Sequence, residues 1–470
     1  MAQIPSPPLI KVHQVYKVRP SQTTTTTTTL PLTYFDLVWP RLPPLQCLFF
    51  YEFPNPSISF FDSLLPNLKR SLQLTLQHFF PLAGNIITCP QHSPVPTITY
   101  FPQQDSVSLT ICESNDDFDQ ISSDFCEISK RHRLLPSLSV SDDKTSMLAL
   151  QVTFFPNSGF VIGITANHAG VDGNSSAVFL HAWAYTCSKI MQNPSLSSIS
   201  LPQTLTPFLD RSVIKDPKGL AQSFVDTWRW LNLFGPNNRS LWETNNNNQE
   251  GAESDNESIK GVFKLKPSHI EKLKNYAKSK TVIARVSTFS VITAYSLSCL
   301  VKTEEAEINE EEVVLMFPVD FRSRLGAEIP PTYFGNCILP RLVYEEKEKV
   351  MANEGFITVL KGISEVLVGL ESGVSNDEEK WKKKLESALV EGKKRVYSVA
   401  GSIRFMVYGV DFGYGRPKKV DVPSVDRTKA FALSESRDGD GGVEIALTLK
   451  KKQMEAFSSL FYHQIQSFLI

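Results

Sequence analysis

No stretch of the chain offers the ~18 uninterrupted apolar residues that a membrane-spanning helix requires, so no membrane span is expected. Charge of one sign is not in excess either: 48 Lys and Arg stand against 49 Asp and Glu. A net charge of −1 leaves no electrostatic footprint for nucleic acid or an acidic membrane surface. The seven cysteines (47, 89, 112, 126, 187, 299 and 337) are odd in number and scattered, with no C-x-x-C pair. That argues against zinc and redox motifs, and reduced thiols in a cytoplasmic protein are expected. The N-terminal run MAQIPSPPLIKVHQVYKVRP puts prolines where a signal peptide needs an apolar core, so secretion is not expected.

Several chemical signatures are missing as well. There is no G-x-S-x-G elbow, no H-E-x-x-H, no G-x-G-x-x-G after a strand and no G-x-x-x-x-G-K-[ST]. These absences argue against a serine hydrolase, a zinc protease, a dinucleotide enzyme and a P-loop enzyme. No metal site is expected.

What the chain does have is 470 residues, too many for one ordinary core, so two domains of roughly 200 residues are expected. Apolar runs at 46–53, 96–101, 106–112 and 147–155 read as strands, and leucines 64 to 76 fall at helical spacing. The seven threonines 23–29 read as a surface loop. Ser- and Pro-rich residues 193–217 read as a crossover, and polar residues 244–258 as disordered. In the second half, Ser268 and Glu271 suggest a capping box, and Ser287-Thr288 opens an apolar helix. An acidic loop is expected at 303–312, mostly helix over 344–395, a strand and turn over 402–420, a hairpin from 431–436 and 441–449, and a terminal helix.

The chain is organised around Phe160–Ile190, where an apolar strand meets a helix reading from Ala177 to Ile190. The joining turn carries His168, Asp172 and Gly173. A histidine there has the near-neutral pKa needed to take a proton from a hydroxyl, but a lone histidine after a strand is more often structural. Asp172 could orient it or cap the helix. A histidine base with neither nucleophile nor metal suggests direct transfer onto a substrate nucleophile.

His168-Ala-Gly-Val-Asp172-Gly173 resembles the H-x-x-x-D-G signature of the plant BAHD acyl-CoA-dependent acyltransferases. Asp411-Phe412-Gly413-Tyr414-Gly415 resembles that family's second signature, D-F-G-W-G, with Tyr414 where tryptophan is usual. Phe80–Gly84, Pro207–Arg211 and Val319–Arg322 agree too, so the resemblance spans essentially the whole chain. Tyr333-Phe334-Gly335-Asn336-Cys337 resembles the pattern of the clade that acylates sugar hydroxyls of anthocyanins and other phenolic glucosides. The resemblance implies an α/β fold of mixed sheets: two chloramphenicol acetyltransferase-like domains with an active-site channel at their interface. The expected boundaries are 1–195, completed by about 411–434, a crossover at 196–217, and 218–470.

The resemblance also implies roles. His168 and Asp411 carry the two catalytic signatures, His168 as general base and Asp411 holding architecture. Asp172, Gly173, Arg322, Gly413 and Tyr414 shape the site, with Arg322 the candidate partner of Asp172. Arg285, Ser287, Thr288 and Asn336 are candidates for acyl-CoA binding. Acyl-CoA enters as co-substrate, malonyl-CoA first and hydroxycinnamoyl-CoA as the alternative, and no permanently bound cofactor is expected. Partners are small molecules, and a cytoplasmic monomer is expected. A non-catalytic binding protein of the same fold is the remaining alternative.

Overall fold

The computed structural model describes residues 10–21, 26–39, 43–88, 95–141, 143–230, 257–283, 286–305, 308–325, 329–370, 387 and 394–467. The chain divides into two compact units. The first comprises Met1–Asn256, Pro330–Cys337 and Phe405–Ser424; the second comprises Glu257–Ile329, Ile338–Arg404 and Val425–Ile470. The boundaries differ from those expected: helix Leu220–Trp230 lies with the first unit, and residues 425–434 lie with the second. Pairing decides the latter, because Ala430–Glu435 bonds to strands of the second unit on both sides.

The first unit is built on a six-stranded sheet. Its labelled strands are β1 (Lys11–Val18), β2 (Leu45–Glu52), β3 (Val107–Glu113), β4 (Leu148–Phe155) and β5 (Gly159–Ala166). The order is β1-β3-β4-β5-β2, with Lys419–Asp421 added antiparallel to β2 at the far edge. β4 and β5 are buried along their whole length, which is why they read as continuous apolar runs rather than alternating ones. Leu48, Phe50, Phe118, Ile121, Leu134, Phe155 and Val161 form a buried cluster on this sheet. Each such side chain removed from water contributes about 1.5–3 kcal/mol. Helices α1 (Leu65–His78) and α2 (Gly173–Gln192) pack on each other. In α2, Ala177, Leu180, Trp183, Ala184, Cys187 and Ile190 recur at helical spacing and are buried. Trp183 donates its Nε1–H to Ser71 Oγ at 3.0 Å, so the largest buried ring keeps its polar atom satisfied.

The second unit is a mixed sheet with helices. Its strands are β6 (Ser258–Leu265), β7 (Glu312–Asp320), β8 (Ile338–Glu346), β9 (Arg395–Gly401), β10 (Ala430–Glu435) and β11 (Val443–Lys450). They run in the order β8-β7-β9-β10-β11-β6, with parallel pairs β7/β9 and β9/β10. Helices α3 (Pro267–Lys280), α4 (Thr288–Thr303), α5 (Gly355–Gly369) and α6 (Lys451–Ser467) belong to this unit.

Several local readings change. The capping box at Ser268 is absent: α3 starts one residue earlier, at Pro267, and Glu271 bonds Lys274 instead, at 2.8 Å. Proline at the first helical position has its φ already set and loses no hydrogen bond, so it fixes the start. Thr28 and Thr29, expected in a loop, belong to a strand, Thr28–Pro31, paired with Thr97–Tyr100. β-branched threonine tolerates that conformation well. The strand expected within 402–420 lies earlier, as β9, and is succeeded by a turn, a single 3₁₀ turn at Val407–Gly409 and the short Lys419–Asp421. The helical reading of 344–395 holds for Lys347–Met351 and α5, while β8 extends to Glu346 and β9 opens at Arg395. Residues 231–256, containing most of the polar stretch, and residues 371–386 of the span read as mostly helical lie outside the described residues. Among the described residues no helix is long and apolar enough to cross a membrane.

Candidate active site

The site is built where β5 ends. Asn167 donates its backbone N–H to Met147 O at 2.9 Å and uses its side chain to accept from Ala169 N at 3.0 Å. This local turn lifts His168 off the strand. Asp172 then caps α2, accepting from Ser175 N at 2.8 Å through Oδ1. Its Oδ2 accepts from Cys337 N at 3.2 Å, so one fully buried carboxylate ties the turn to a segment 165 residues away. Gly173 comes next because a Cβ there would lie 2.6 Å from the Phe405 ring.

His168 is half-buried, and its Nδ1 is buried with no hydrogen-bond partner among the described residues. Burial lowers its pKa below the ordinary 6.5, with Asp172 and Asn336 among the groups that partly oppose the shift. The imidazole is therefore neutral at neutral pH and able to accept a proton.

The segment Tyr333–Cys337 closes over this turn. Phe208 and Tyr333 pair through Phe208 N to Thr332 O (3.0 Å) and Phe334 N to Phe208 O (2.9 Å). Ser175 Oγ accepts from Gly335 N at 3.1 Å. Asn336 donates its side-chain N–H groups to His168 O at 2.8 Å and to Asp36 Oδ1 at 3.0 Å, and its backbone N–H to the same Asp36 oxygen at 3.0 Å. The other Asp36 oxygen accepts from Arg211 at 2.5 Å, and from Thr33 N and Thr33 Oγ1 at 2.8 and 2.9 Å. Asp36 and Arg211 are both buried. A buried carboxylate is tolerable here because a guanidinium and four further N–H or O–H donors compensate its lost hydration. Trp39, held by its N–H to Asp36 O at 3.1 Å, stacks on His168 with ring centroids 4.4 Å apart and planes inclined by 2°.

Asp411 occupies a different kind of turn. Its Oδ1 accepts from Gly413 N at 2.7 Å and Gly415 N at 3.0 Å, both within its own loop. Gly413 has φ +93°, which favours glycine there. Phe412 is buried edge-on to Trp183, with centroids 4.8 Å apart. Tyr414 meets Phe53 and Phe160 edge-on, and its hydroxyl accepts from Asn67 Nδ2 at 3.2 Å. The polar atom that tyrosine adds at a tryptophan position thus has a partner. Both of these bonds close the aspartate's own loop.

The other expected site residues take these places. Arg285 lies outside the described residues. Ser287 caps α4, accepting from Ser290 N at 3.1 Å, with the capping box completed by Ser290 rather than a ligand; Thr288 is the first helical residue. Arg322 donates to Asp320 Oδ1 at 3.3 Å within the second unit. Asn336 has committed both side-chain N–H groups to Asp36 and His168, leaving only its Oδ1 without a partner among the described residues.

Burial pushes the Cys112 thiol up to about 11 and the Cys187 and Cys299 thiols up to about 12, so none of these is a thiolate nucleophile at neutral pH. A cavity of about 450 Å³, lined by Leu32, Tyr34, Arg211 and Asp216 among others, lies in the first unit but does not include His168.

Sequence reasoning misses Asp36, Trp39 and Arg211 as site residues. Both short segments read as apolar or turn-like, and no spacing rule connects residues 36, 211 and 336. A charged residue inside an apolar run, as Asp36 is within Tyr34–Trp39, is the one signal that could have found them.

Comparison with known proteins adds identity. The pattern of the Transferase family matches residues 9–464. The chain is 37% identical over 463 residues to malonyl-CoA:anthocyanidin 5-O-glucoside-6''-O-malonyltransferase of Arabidopsis thaliana, covering 96% of this chain and 97% of that protein. It is also 37% identical to phenolic glucoside malonyltransferase 2 of the same plant, over 93% and 94% of the two chains. At 33% stands coumaroyl-CoA:anthocyanidin 3-O-glucoside-6''-O-coumaroyltransferase 2, again from Arabidopsis thaliana, over 96% of each. Among solved structures, vinorine synthase superposes with a TM-score of 0.68 at 19% identity, over 95% of this chain and 96% of that one, which shows a shared fold.

Proposed function

The chain belongs to the BAHD family of acyl-CoA-dependent acyltransferases, and from that premise we propose that it moves a malonyl group from malonyl-CoA to a sugar hydroxyl of a phenolic glucoside. The observation that carries the chemistry is a half-buried His168 on a turn tied down by Asn336 and Asp172, where burial lowers the imidazole pKa. The donor assignment rests on the activities for which the 37%-identical relatives are named and on the Tyr333–Cys337 segment.

In this reading the neutral imidazole of His168 takes the proton of the acceptor hydroxyl as that oxygen attacks the thioester carbonyl carbon. The carbon–sulfur bond then breaks, and the departing coenzyme A thiolate takes the proton from the imidazolium. The histidine ends as it began, so donor and acceptor are bound together and no covalent enzyme intermediate forms. General-base help of this kind is worth about 10²–10⁴-fold. Asp172 caps α2 and fixes the turn, its pairing with Arg322 remaining part of the proposal, as do coenzyme A contacts from Arg285, Ser287 and Thr288. Asn336 bonds the His168 carbonyl through one side-chain N–H, and its contact with the donor stays part of the proposal. The protein acts as a cytoplasmic monomer on small molecules.

Because burial lowers the His168 pKa, the proton-accepting form persists below the ordinary histidine value of 6.5. The acid limb of kcat/KM for transfer should accordingly lie below pH 6.5.

A panel of malonyl-CoA and p-coumaroyl-CoA against phenolic glucosides, read by product mass and free coenzyme A, tests the donor. Malonylated glucosides are the expected products; turnover with the aromatic donor alone would replace this reading with the hydroxycinnamoyl one, which the 33%-identical coumaroyltransferase supports.

A further inference from the structure

His168 lacks what usually steadies a catalytic imidazole. Its Nδ1 is buried, and no carboxylate or carbonyl bonds to it among the described residues. The Asp172 oxygens accept from Ser175 N and Cys337 N. At the ring's edge the Asn336 side chain and the His168 and Val171 backbone lie close enough to favour the protonated ring, and no carboxylate is bonded there. Its face is different: the Trp39 indole lies parallel to it, with planes 2° apart and centroids at 4.4 Å.

Trp39 is itself buried, and its Nε1–H has no partner among the described residues. What the indole supplies here is a face rather than a donor. Its placement is not accidental to the turn. Trp39 N–H bonds Asp36 O, and the Asp36 carboxylate reaches the His168 carbonyl through Asn336. One residue thus registers both the stacking ring and the backbone of the ring it stacks on.

Resting on the acyltransferase reading, we propose that Trp39 is a positioning residue for His168. It fixes the imidazole plane in place of a carboxylate and stabilises the imidazolium formed when the ring accepts the substrate proton. An indole face attracts a cation through its quadrupole, more strongly than a phenyl face does. A neutral ring loses little by stacking, whereas the protonated ring gains, so the stack favours the transition state in which the proton has arrived. Within the first unit, the other charged groups around the imidazole are Asp172, which favours protonation, and the compensated Asp36–Arg211 pair beyond Asn336.

The test is a titration of His168 by NMR on the full chain with labelled histidine, its resonance identified by its loss in His168→Gln. Trp39→Leu keeps the site apolar but removes the aromatic face. It should move the His168 titration to lower pH by about half a unit or more. Trp39→Phe retains a weaker face, should shift in the same direction by less, and carries the test if the leucine variant does not fold. Turnover should change in parallel, with kcat of Trp39→Leu down about tenfold and its KM values little changed. An unchanged titration in the folded variant, or a loss confined to KM, would make Trp39 a wall of the site and overturn the proposal. The titration needs no substrate, so it remains decisive even if no acyl-CoA is turned over.

Discussion

Two aspartates stand at turns of the same unit and do opposite things. The Asp172 carboxylate is fully buried and divides its oxygens between its own helix and a segment 165 residues on. Asp411 spends one oxygen on two N–H groups of its own loop, and that loop is anchored by Phe412 and Tyr414 rather than by the carboxylate. The first turn is held by long-range polar bonds that converge on His168; the second is locally closed and fastened by rings. The first turn therefore answers to substitutions far along the chain, whereas the second answers to its own residues and the rings around it.

Substitutions sharpen or break this contrast. The largest loss of stability is expected from Asp36→Ala, which strands the buried Arg211 guanidinium and releases Asn336. Breaking a buried pair this way costs about 3–5 kcal/mol, read by denaturant unfolding. Asp172→Asn should come next, at about 1–3 kcal/mol, since an amide cannot accept from both Ser175 N and Cys337 N without turning a donor toward one of them. The matching Asp411→Asn keeps an acceptor oxygen for Gly413 and Gly415 on an accessible turn, and should cost less, about 0.5–1.5 kcal/mol. If it cost as much as Asp172→Asn, the distinction between the two turns would fail. Tyr414→Phe should be smallest, at most about 1 kcal/mol, because only the hydroxyl contacts with Asn67 and Ser63 are lost while both edge-on ring contacts persist.

How much of this can be read from the chain varies with distance. The strand–turn–helix at 159–192 is legible because its apolar run and its helix are local patterns; only the helix start is misplaced, by four residues, since Asp172 caps it directly. The capping box at Ser268 misleads because Pro267 sets the start of α3 by its own ring. His168 and the Asp411 turn are legible through resemblance. Asp36, Arg211 and Trp39 are not, because they reach the site only through folding: hydrogen bonds spanning 175 and 300 residues leave no periodic trace. Asn336 is legible as part of the Tyr333–Cys337 pattern, but whether it faces ligand or scaffold depends on where its two N–H groups go, which only the fold decides.

The central claim is that His168 takes the proton in transfer while its neighbours hold it in place. Single-turnover release of free coenzyme A from malonyl-CoA in the presence of a phenolic glucoside, compared between the native chain and His168→Ala at matched thermal stability, tests it most directly. The account predicts a fall of about 10²–10⁴-fold with melting temperature little changed. Equal rates in the two proteins would contradict it.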